Sequence, residues 1–135
     1  MTIKDRVGQP QEGQDMVGGK GGYQLYWFFQ GETDPSISFI NILFQPGAYA
    51  GYHRHERHDT ILYVLSGVAE HYQEGDLTTL NPGDAVLVRS GNAHAVKNIG
   101  DEDLRIIEFF AALTSEDLPS SPVASLPLPE AISDW

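Results

Sequence analysis

The sequence predicts an all-β domain, and three observations support that fold class. Short runs rich in aromatic and β-branched residues recur along the chain, and such runs are typical of strands. Turns rich in glycine and proline separate the runs at intervals of about 8 to 12 residues, the spacing of a β-sandwich or β-barrel. Before residue 112 no apolar pattern keeps a 3.6-residue period over three helical turns.

Residues that favour turns bound the predicted strands. Pro46 and Gly47 stop the second strand, and Gly67 ends the fourth. Glu74 and Gly75 are a hairpin signal, and residues 81–84 (NPGD) form a tight turn. In chain order the predicted strands are 23–30, 36–45, 51–55, 60–66, 68–73, 76–80, 85–88, 94–98 and 104–111.

The two ends of the chain differ from this middle section. Residues 1–22 are rich in glycine and poor in apolar side chains, which predicts a loosely ordered, extended N-terminal arm. Residues 114–135 hold four prolines and four acidic residues but no basic one. Their spaced apolar residues fit an extended segment on a surface, and plain disorder is the alternative. The predicted organisation is an arm (1–22), one β-barrel (23–113) and an acidic Pro-rich tail (114–135).

Length and composition exclude several classes of function. The chain has 135 residues, which suits one domain, and its net charge of −11 disfavours nucleic acid and anionic membranes as partners. The absence of cysteine excludes disulfides, thiolate catalysis and cysteine-bound metals. The first 15 residues lack the apolar core of a signal peptide, and no apolar run approaches about 20 residues. We therefore expect a soluble, cytoplasmic domain.

The histidines are clustered. Four of the five lie at positions 53, 55, 58 and 94. On a strand, residues i and i+2 point to the same face, so His53 and His55 are placed to hold one metal ion between two imidazoles. An exposed histidine pair in a metal-free barrel is the alternative.

Two motifs around these histidines resemble those of the cupin superfamily. Gly47, His53, His55 and Gly67 match the first motif, G-x5-H-x-H-x3-4-E-x6-G. The segment from Gly83 to Asn98 is similar to the second motif, G-x5-P-x-G-x2-H-x3-N. Its glycines (Gly83 and Gly91), its histidine (His94) and its asparagine (Asn98) are in register, whereas Arg89 stands where the family has proline.

The resemblance implies a double-stranded β-helix, the cupin jelly-roll barrel, holding a metal through His53, His55, His94 and usually one glutamate. The glutamate is missing: counting back from Gly67 gives Thr60, and counting on from His55 gives Asp59. A regular strand turns Thr60 inward, whereas a bulge would bring Asp59 inward instead. We expect a three-histidine site with water in its open positions and Asp59 as the candidate fourth ligand.

The other polar residues near the motifs receive weaker roles. His58 is expected at the barrel mouth facing water, with entry into the site as the alternative, and His71 is expected to be a solvated strand residue. Arg89 is a surface charge or a contact for an anionic ligand. Tyr49 is favoured over Tyr63 as a proton donor, because Tyr63 has the opposite strand parity from Thr60.

The resemblance also implies the kind of function. The protein would use one divalent transition metal (Fe, Zn, Mn or Ni) to act on a small oxygenated metabolite, either as a dioxygenase or as an isomerase or lyase. The alternatives are a non-catalytic barrel that binds a metal or small ligand, and a metal-free structural barrel.

We expect a homodimer, in which strand 23–30 pairs across the interface. The predicted lining is apolar, from Trp27, Phe29, Phe39, Leu62, Val64, Val96 and Phe109.

Overall fold

The computed structural model describes residues 14–15, 19–28, 36–56, 58–112 and 124–135. Its strands are β1 (Gln14–Asp15), β2 (Gly19–Lys20), β3 (Tyr23–Phe28), β4 (Ser36–Phe44), β5 (Tyr49–Arg54), β6 (Thr60–Ser66), β7 (Ala69–Gln73), β8 (Asp76–Leu80), β9 (Ala85–Val88), β10 (Ala93–Asn98), β11 (Leu104–Ala112) and β12 (Ala124–Ser125). A short 3-10 helix, Glu130–Ile132, follows β12. Among these residues, no helix has the length and apolar character needed to cross a membrane.

The strands form two antiparallel sheets, which confirms the predicted all-β fold. The first sheet has the order β1-β3-β4-β11-β6-β9. The second has the order β12-β5-β10-β7-β8, with β2 also paired to β5. Because β1 pairs with β3 at Leu25 and Gln24, this part of β3 already has a partner on its outer side.

The core lies between the two sheets. Along the central strands of the first sheet, buried apolar side chains alternate with outward-facing ones, and the buried ones fill the core. Thr60, Leu62 and Val64 of β6 are buried and alternate with exposed residues, as expected for a strand with one face toward a core. The largest buried apolar side chains from these strands are Ile40, Ile42, Phe44, Leu62, Val64, Leu104, Ile106 and Phe110.

Two of the motif residues have clear structural roles. Asn98 is fully buried, and its Nδ2 donates to the carbonyls of Phe44, at 3.1 Å, and Glu102, at 2.7 Å. It thereby ties the end of β4 to the turn after β10. Gly67 has a φ of +87°, and a Cβ there would lie 2.8 Å from the Leu104 Cα, so a larger residue would be strained.

The predicted hairpin between β7 and β8 is also present. Gln73 pairs with Asp76, so Glu74 and Gly75 form a two-residue turn. Both turn residues have positive φ, 45° and 95°, which is the conformation of a type I′ turn.

The C-terminal segment covers the outer face of the second sheet. Trp135 and Ile132 are buried against Tyr72 and Ala95, and Trp135 Nε1 donates to the Glu70 carboxylate at 3.2 Å. The described part of the tail, 124–135, therefore packs on the barrel, and residues 113–123 lie outside the described residues.

The outer face of the first sheet is different, because apolar side chains remain exposed there. Cross-strand pairing aligns Phe28, Phe39, Phe109, Ile61 and Leu87 in one row across five strands. We call this row the exposed apolar face; Phe109 is 40% exposed, Ile61 47% and Leu87 43%.

This arrangement corrects part of the predicted lining. Phe39 and Phe109 stack edge to face on the outside, with ring centroids 5.0 Å apart, because residues of the opposite parity on β4 and β11 fill the core. Leu62, Val64 and Val96 are buried inside as predicted. Phe29 and the side chain of Trp27 lie outside what the structure describes.

Candidate metal centre

His53, His55 and His94 meet inside the barrel. His53 lies on β5 and His94 is its cross-strand partner on β10, while His55 follows the end of β5. All three side chains are buried, and each offers a ring nitrogen within 4.8 Å of the others. The Nε2 atoms of His53 and His55 are 3.2 Å apart.

A β-bulge in β5 makes this convergence possible. Ala50 pairs with Val96 and His53 pairs with His94. Two residues of β5, at positions 51 and 52, therefore oppose the single residue 95 of β10. The extra residue reverses the parity of the strand, and Ala50 and His53 therefore both point inward.

The same bulge places Tyr49 outside the site. Its ring packs against Trp135, with centroids 5.8 Å apart, on the outer face of the second sheet. Sequence reasoning favoured Tyr49 as the proton donor only because Tyr63 has the opposite parity from Thr60, and the structure places the Tyr49 ring against Trp135 instead. Tyr63 also faces outward, as its parity predicted.

Hydrogen bonds occupy the Nδ1 atoms of two of the three histidines, His53 and His94. His53 Nδ1 is 2.6 Å from the Gly51 carbonyl; because a carbonyl only accepts, Nδ1 carries the proton and Nε2 the lone pair. His94 Nδ1 is hydrogen-bonded to His71, and within the described residues His94 Nε2 is buried without a partner.

This geometry fits a transition metal. Two nitrogens that are each about 2.0–2.1 Å from one ion are separated by about 2.8 Å in octahedral geometry to about 3.4 Å in tetrahedral geometry. The 3.2 Å between His53 Nε2 and His55 Nε2 lies in that range. A metal would also supply the missing partner of His94 Nε2.

Burial keeps the three rings neutral at pH 7. Desolvation, together with smaller effects of the neighbouring His53 and His58, lowers the pKa of His55 to about 3. Desolvation also lowers the pKa of His53 and, well below its usual value, that of His94. Metal binding requires neutral imidazole, so the site needs no deprotonation before it can bind an ion.

Glu108 on the opposite sheet also faces the site, and the sequence reasoning missed it. Its Oε1 is 3.8 Å from His55 Nε2, and burial raises its pKa to about 7. It is the one buried carboxyl group among the described residues. The alternation of Leu104, Ile106 and Phe110 along β11 was the available signal, since Glu108 shares their parity.

The position expected to hold the motif glutamate contains Thr60. Thr60 points inward and is fully buried, and within the described residues its hydroxyl has no hydrogen-bond partner. Strand β6 pairs regularly with β9 from Thr60 to Tyr63, whereas its register against β11 shifts between Val64 and Ser66.

Asp59 is directed away from the three histidines. Its carboxylate accepts a hydrogen bond from the Ser90 backbone N–H at 2.8 Å and one from Arg89 Nη1 at 3.1 Å, on the surface. The Ser90 N–H, with the Arg89 guanidinium, lowers the pKa of Asp59. The structure therefore does not bring Asp59 to the site, and it pairs Arg89 with Asp59.

The expectations that His58 faces water and that His71 is solvated are wrong, and His58 lies beside His55 as its alternative allowed. His58 is buried, and its ring centroid lies 4.8 Å from those of both His55 and Phe110. His71 is 2% exposed, and burial lowers its pKa to about 4. His71 is buried because it lies on the inner face of β7, opposite Val96 and in contact with His94, and not on a solvent-facing side as the prediction assumed.

A two-sheet β-barrel with three converging buried histidines defines a protein of the cupin class with a candidate metal site. The chain belongs to the cupin family: the cupin domain model (Cupin_2) matches residues 41–110. The resemblance seen in the two sequence motifs is thereby confirmed.

Similar proteins extend this assignment. The chain is 28% identical to an oxalate-binding protein of Thermotoga maritima over 115 residues, which cover 84% of this chain and 93% of that protein. A KdgF structure from a Halomonas species is 30% identical, has a TM-score of 0.66 and covers 80% of this chain and 92% of its own. A Thermotoga maritima structure described as a predicted oxalate decarboxylase is 26% identical, with a TM-score of 0.69, and covers 84% and 100%.

Proposed function

We propose that the protein binds one divalent transition metal through Nε2 of His53, His55 and His94. The observation that carries the proposal is the convergence of three buried, neutral imidazoles on one point. Fe, Zn, Mn and Ni all accept imidazole nitrogen, so this donor set is compatible with each of them.

The ligand of this site is proposed to be a small organic acid or carbonyl compound with two adjacent oxygen atoms. When bound, the metal supplies a Lewis acid that polarises such an oxygen. Three neutral imidazoles leave the ion its positive charge, and a relative sharing 28% identity is named for binding oxalate, a small dicarboxylate. The apolar side chains of Leu62, Val64 and Val96 would exclude bulk water around it.

Glu108 is proposed to move a proton on that ligand. Its carboxyl group approaches from the first sheet, opposite the histidines, and lies 3.8 Å from His55 Nε2. A positioned carboxyl group is what isomerases and lyases use to take a proton from carbon and return it. We therefore favour isomerase or lyase chemistry over a dioxygenase.

The test measures, in the same samples, the exchange of substrate C–H hydrogen with solvent deuterium and the consumption of dissolved oxygen. Metal-loaded protein is incubated in D₂O with α-keto acids, hydroxy acids and dicarboxylates, and NMR follows loss of the C–H signal. We expect exchange or product formation without oxygen consumption. Oxygen uptake with one of these compounds would contradict the proposal and indicate a dioxygenase.

Non-catalytic binding is the second candidate, favoured by the name of the oxalate-binding relative. Its signature is a calorimetric titration in which oxalate binds the metal-loaded protein and not the metal-free protein, while none of the compounds is converted. That outcome would remove the proton-transfer role of Glu108 and leave the metal site intact.

A second copy of the chain is the proposed macromolecular partner. The exposed apolar face runs across five strands of the first sheet, whereas the chain covers the corresponding face of the second sheet itself. Exposed apolar patches of this kind mark protein interfaces. Analytical ultracentrifugation should show a dimer for the wild type and a monomer for the double variant Ile61→Glu/Phe109→Glu; a wild-type monomer would contradict the assignment.

The proposed location is the cytoplasm. The chain has no cysteine and so lacks the disulfides that are common in secreted proteins. Its net charge of −11 disfavours anionic membranes and nucleic acid as partners. Fractionation of cells that express the protein at its native level tests this, and recovery with the membrane or extracellular fraction would contradict it.

A further inference from the structure

His71 lies on the inner face of the second sheet and contacts His94. Its Nε2 is 3.1 Å from His94 Nδ1. The cross-strand partner of His71 is Val96, two residues along β10 from His94, so all three side chains share the inner face. His71 therefore contacts the ring edge of His94 that points away from the other two histidines.

One proton occupies a hydrogen bond between two neutral imidazoles, and its position decides what His94 can do. If His71 Nε2–H donated, neutral His94 would carry its own proton on Nε2 and could not bind a metal there. If His94 Nδ1–H donates, Nε2 keeps a lone pair. Because Nε2 is the buried atom that has no partner in the described residues, the second arrangement is the one that builds the site.

We propose that His71 is a positioning residue, which accepts the hydrogen bond from His94 Nδ1–H and so holds His94 in the tautomer that binds metal through Nε2. The inference rests on the metal site proposed above. Outer partners of this kind fix the orientation and tautomer of metal-binding histidines.

Comparison with His53 shows what is particular about His71. The partner of His53 Nδ1 is the Gly51 carbonyl, at 2.6 Å, which can only accept and therefore allows one tautomer. His71 can accept or donate. The tautomer of His94 is thus set by a partner that must itself carry its proton on Nδ1. Another side chain that can offer an acceptor atom to His94 Nδ1–H should replace His71.

The test compares Zn²⁺ affinity, by competition with a chelator of known affinity, in three variants. His71→Leu removes the acceptor, and we expect affinity to fall about 10- to 100-fold. His71→Gln supplies an amide oxygen as acceptor and should restore most of that loss. Leu80→Ala, at a buried core residue on the neighbouring strand β8, is the control; it opens a cavity but removes no polar atom, and its affinity should be that of the wild type.

A second readout reports the tautomers directly. In ¹⁵N-histidine NMR spectra of the zinc-loaded wild type, we expect His94 to be protonated on Nδ1 and His71 to be protonated on Nδ1 with a bare Nε2. A protonated His71 Nε2 in that state would overturn the inference even if a leucine variant failed to fold.

The outcomes separate this inference from the proposed function. A wild type that binds no Zn²⁺ overturns the metal site and this inference with it. A wild type that binds Zn²⁺ while His71→Leu binds it equally well overturns only the role of His71.

Discussion

The two sheets that enclose the site contribute different chemistry. The second sheet supplies the three converging imidazoles through β5 and β10, and β7 adds His71 behind them. The first sheet supplies apolar side chains and one carboxyl group, that of Glu108 on β11. In the proposed function the two sheets have different roles: the histidine wall (His53, His55 and His94) holds the ion, and the carboxyl wall (Glu108) acts on the ligand.

The largest expected effect is loss of metal on changing the histidine wall. His53→Ala, His55→Ala and His94→Ala each remove one of three ligands, and occupancy should fall from about one equivalent to below about 0.1. Elemental analysis measures this, and circular dichroism should show an intact barrel. Full occupancy in all three variants would place the metal elsewhere.

Substitution of Glu108 should separate metal binding by the histidines from proton transfer by the carboxyl group. Glu108→Gln keeps the size of the side chain but removes its acid–base function, so turnover should fall about 10²- to 10⁴-fold while metal content is unchanged. Glu102→Gln is the matched control, since Glu102 is exposed on the turn before β11. Turnover unaffected by Glu108→Gln would end the proposed role of that carboxyl group.

The same substitution predicts a pH-dependent gain in stability for the metal-free protein. Burial raises the pKa of Glu108 from 4.5 to about 7, so its contribution to stability is present below pH 4.5 and is lost as the pH rises through 7. Glutamine does not ionise. In urea unfolding with chelator present, Glu108→Gln should therefore exceed the wild type by up to about 3 kcal/mol at pH 8.

That advantage should shrink as the pH is lowered to 5, because the wild-type carboxyl group is then mostly protonated in the folded state. Equal stability of the two proteins at both pH values would show that Glu108 is not desolvated.

The smallest effect is expected at the surface. Asp59→Asn removes the charge that pairs with Arg89 but touches none of the three histidines. Metal content should equal that of the wild type, and the melting temperature should change little, because an exposed ion pair contributes little to stability. Loss of metal in Asp59→Asn would show that Asp59 reaches the ion after all.

Much of the histidine wall could be predicted from local sequence. The spacing of His53, His55 and His94 within two motifs needed no knowledge of the tertiary structure, and the structure brings these three residues together. The same holds for the strands and the hairpin turn at Glu74, since turn residues act locally.

What sequence reasoning missed depends on contacts between distant strands. The bulge in β5 is visible only in its pairing with β10, and it moved Tyr49 outward. The inward parity of β11, which buries Glu108 and exposes Phe109, is fixed by which face of that strand meets the second sheet. His71 was misjudged because its inward position depends on the pairing of β7 with β10, which places it against His94.

The central claim is that His53, His55 and His94 hold one metal ion, and metal analysis of protein purified without a histidine tag tests it most directly. The account predicts about one equivalent of a single divalent transition metal, recovered after chelation and reconstitution. Less than about a tenth of an equivalent of any transition metal, with none regained on reconstitution, would contradict it.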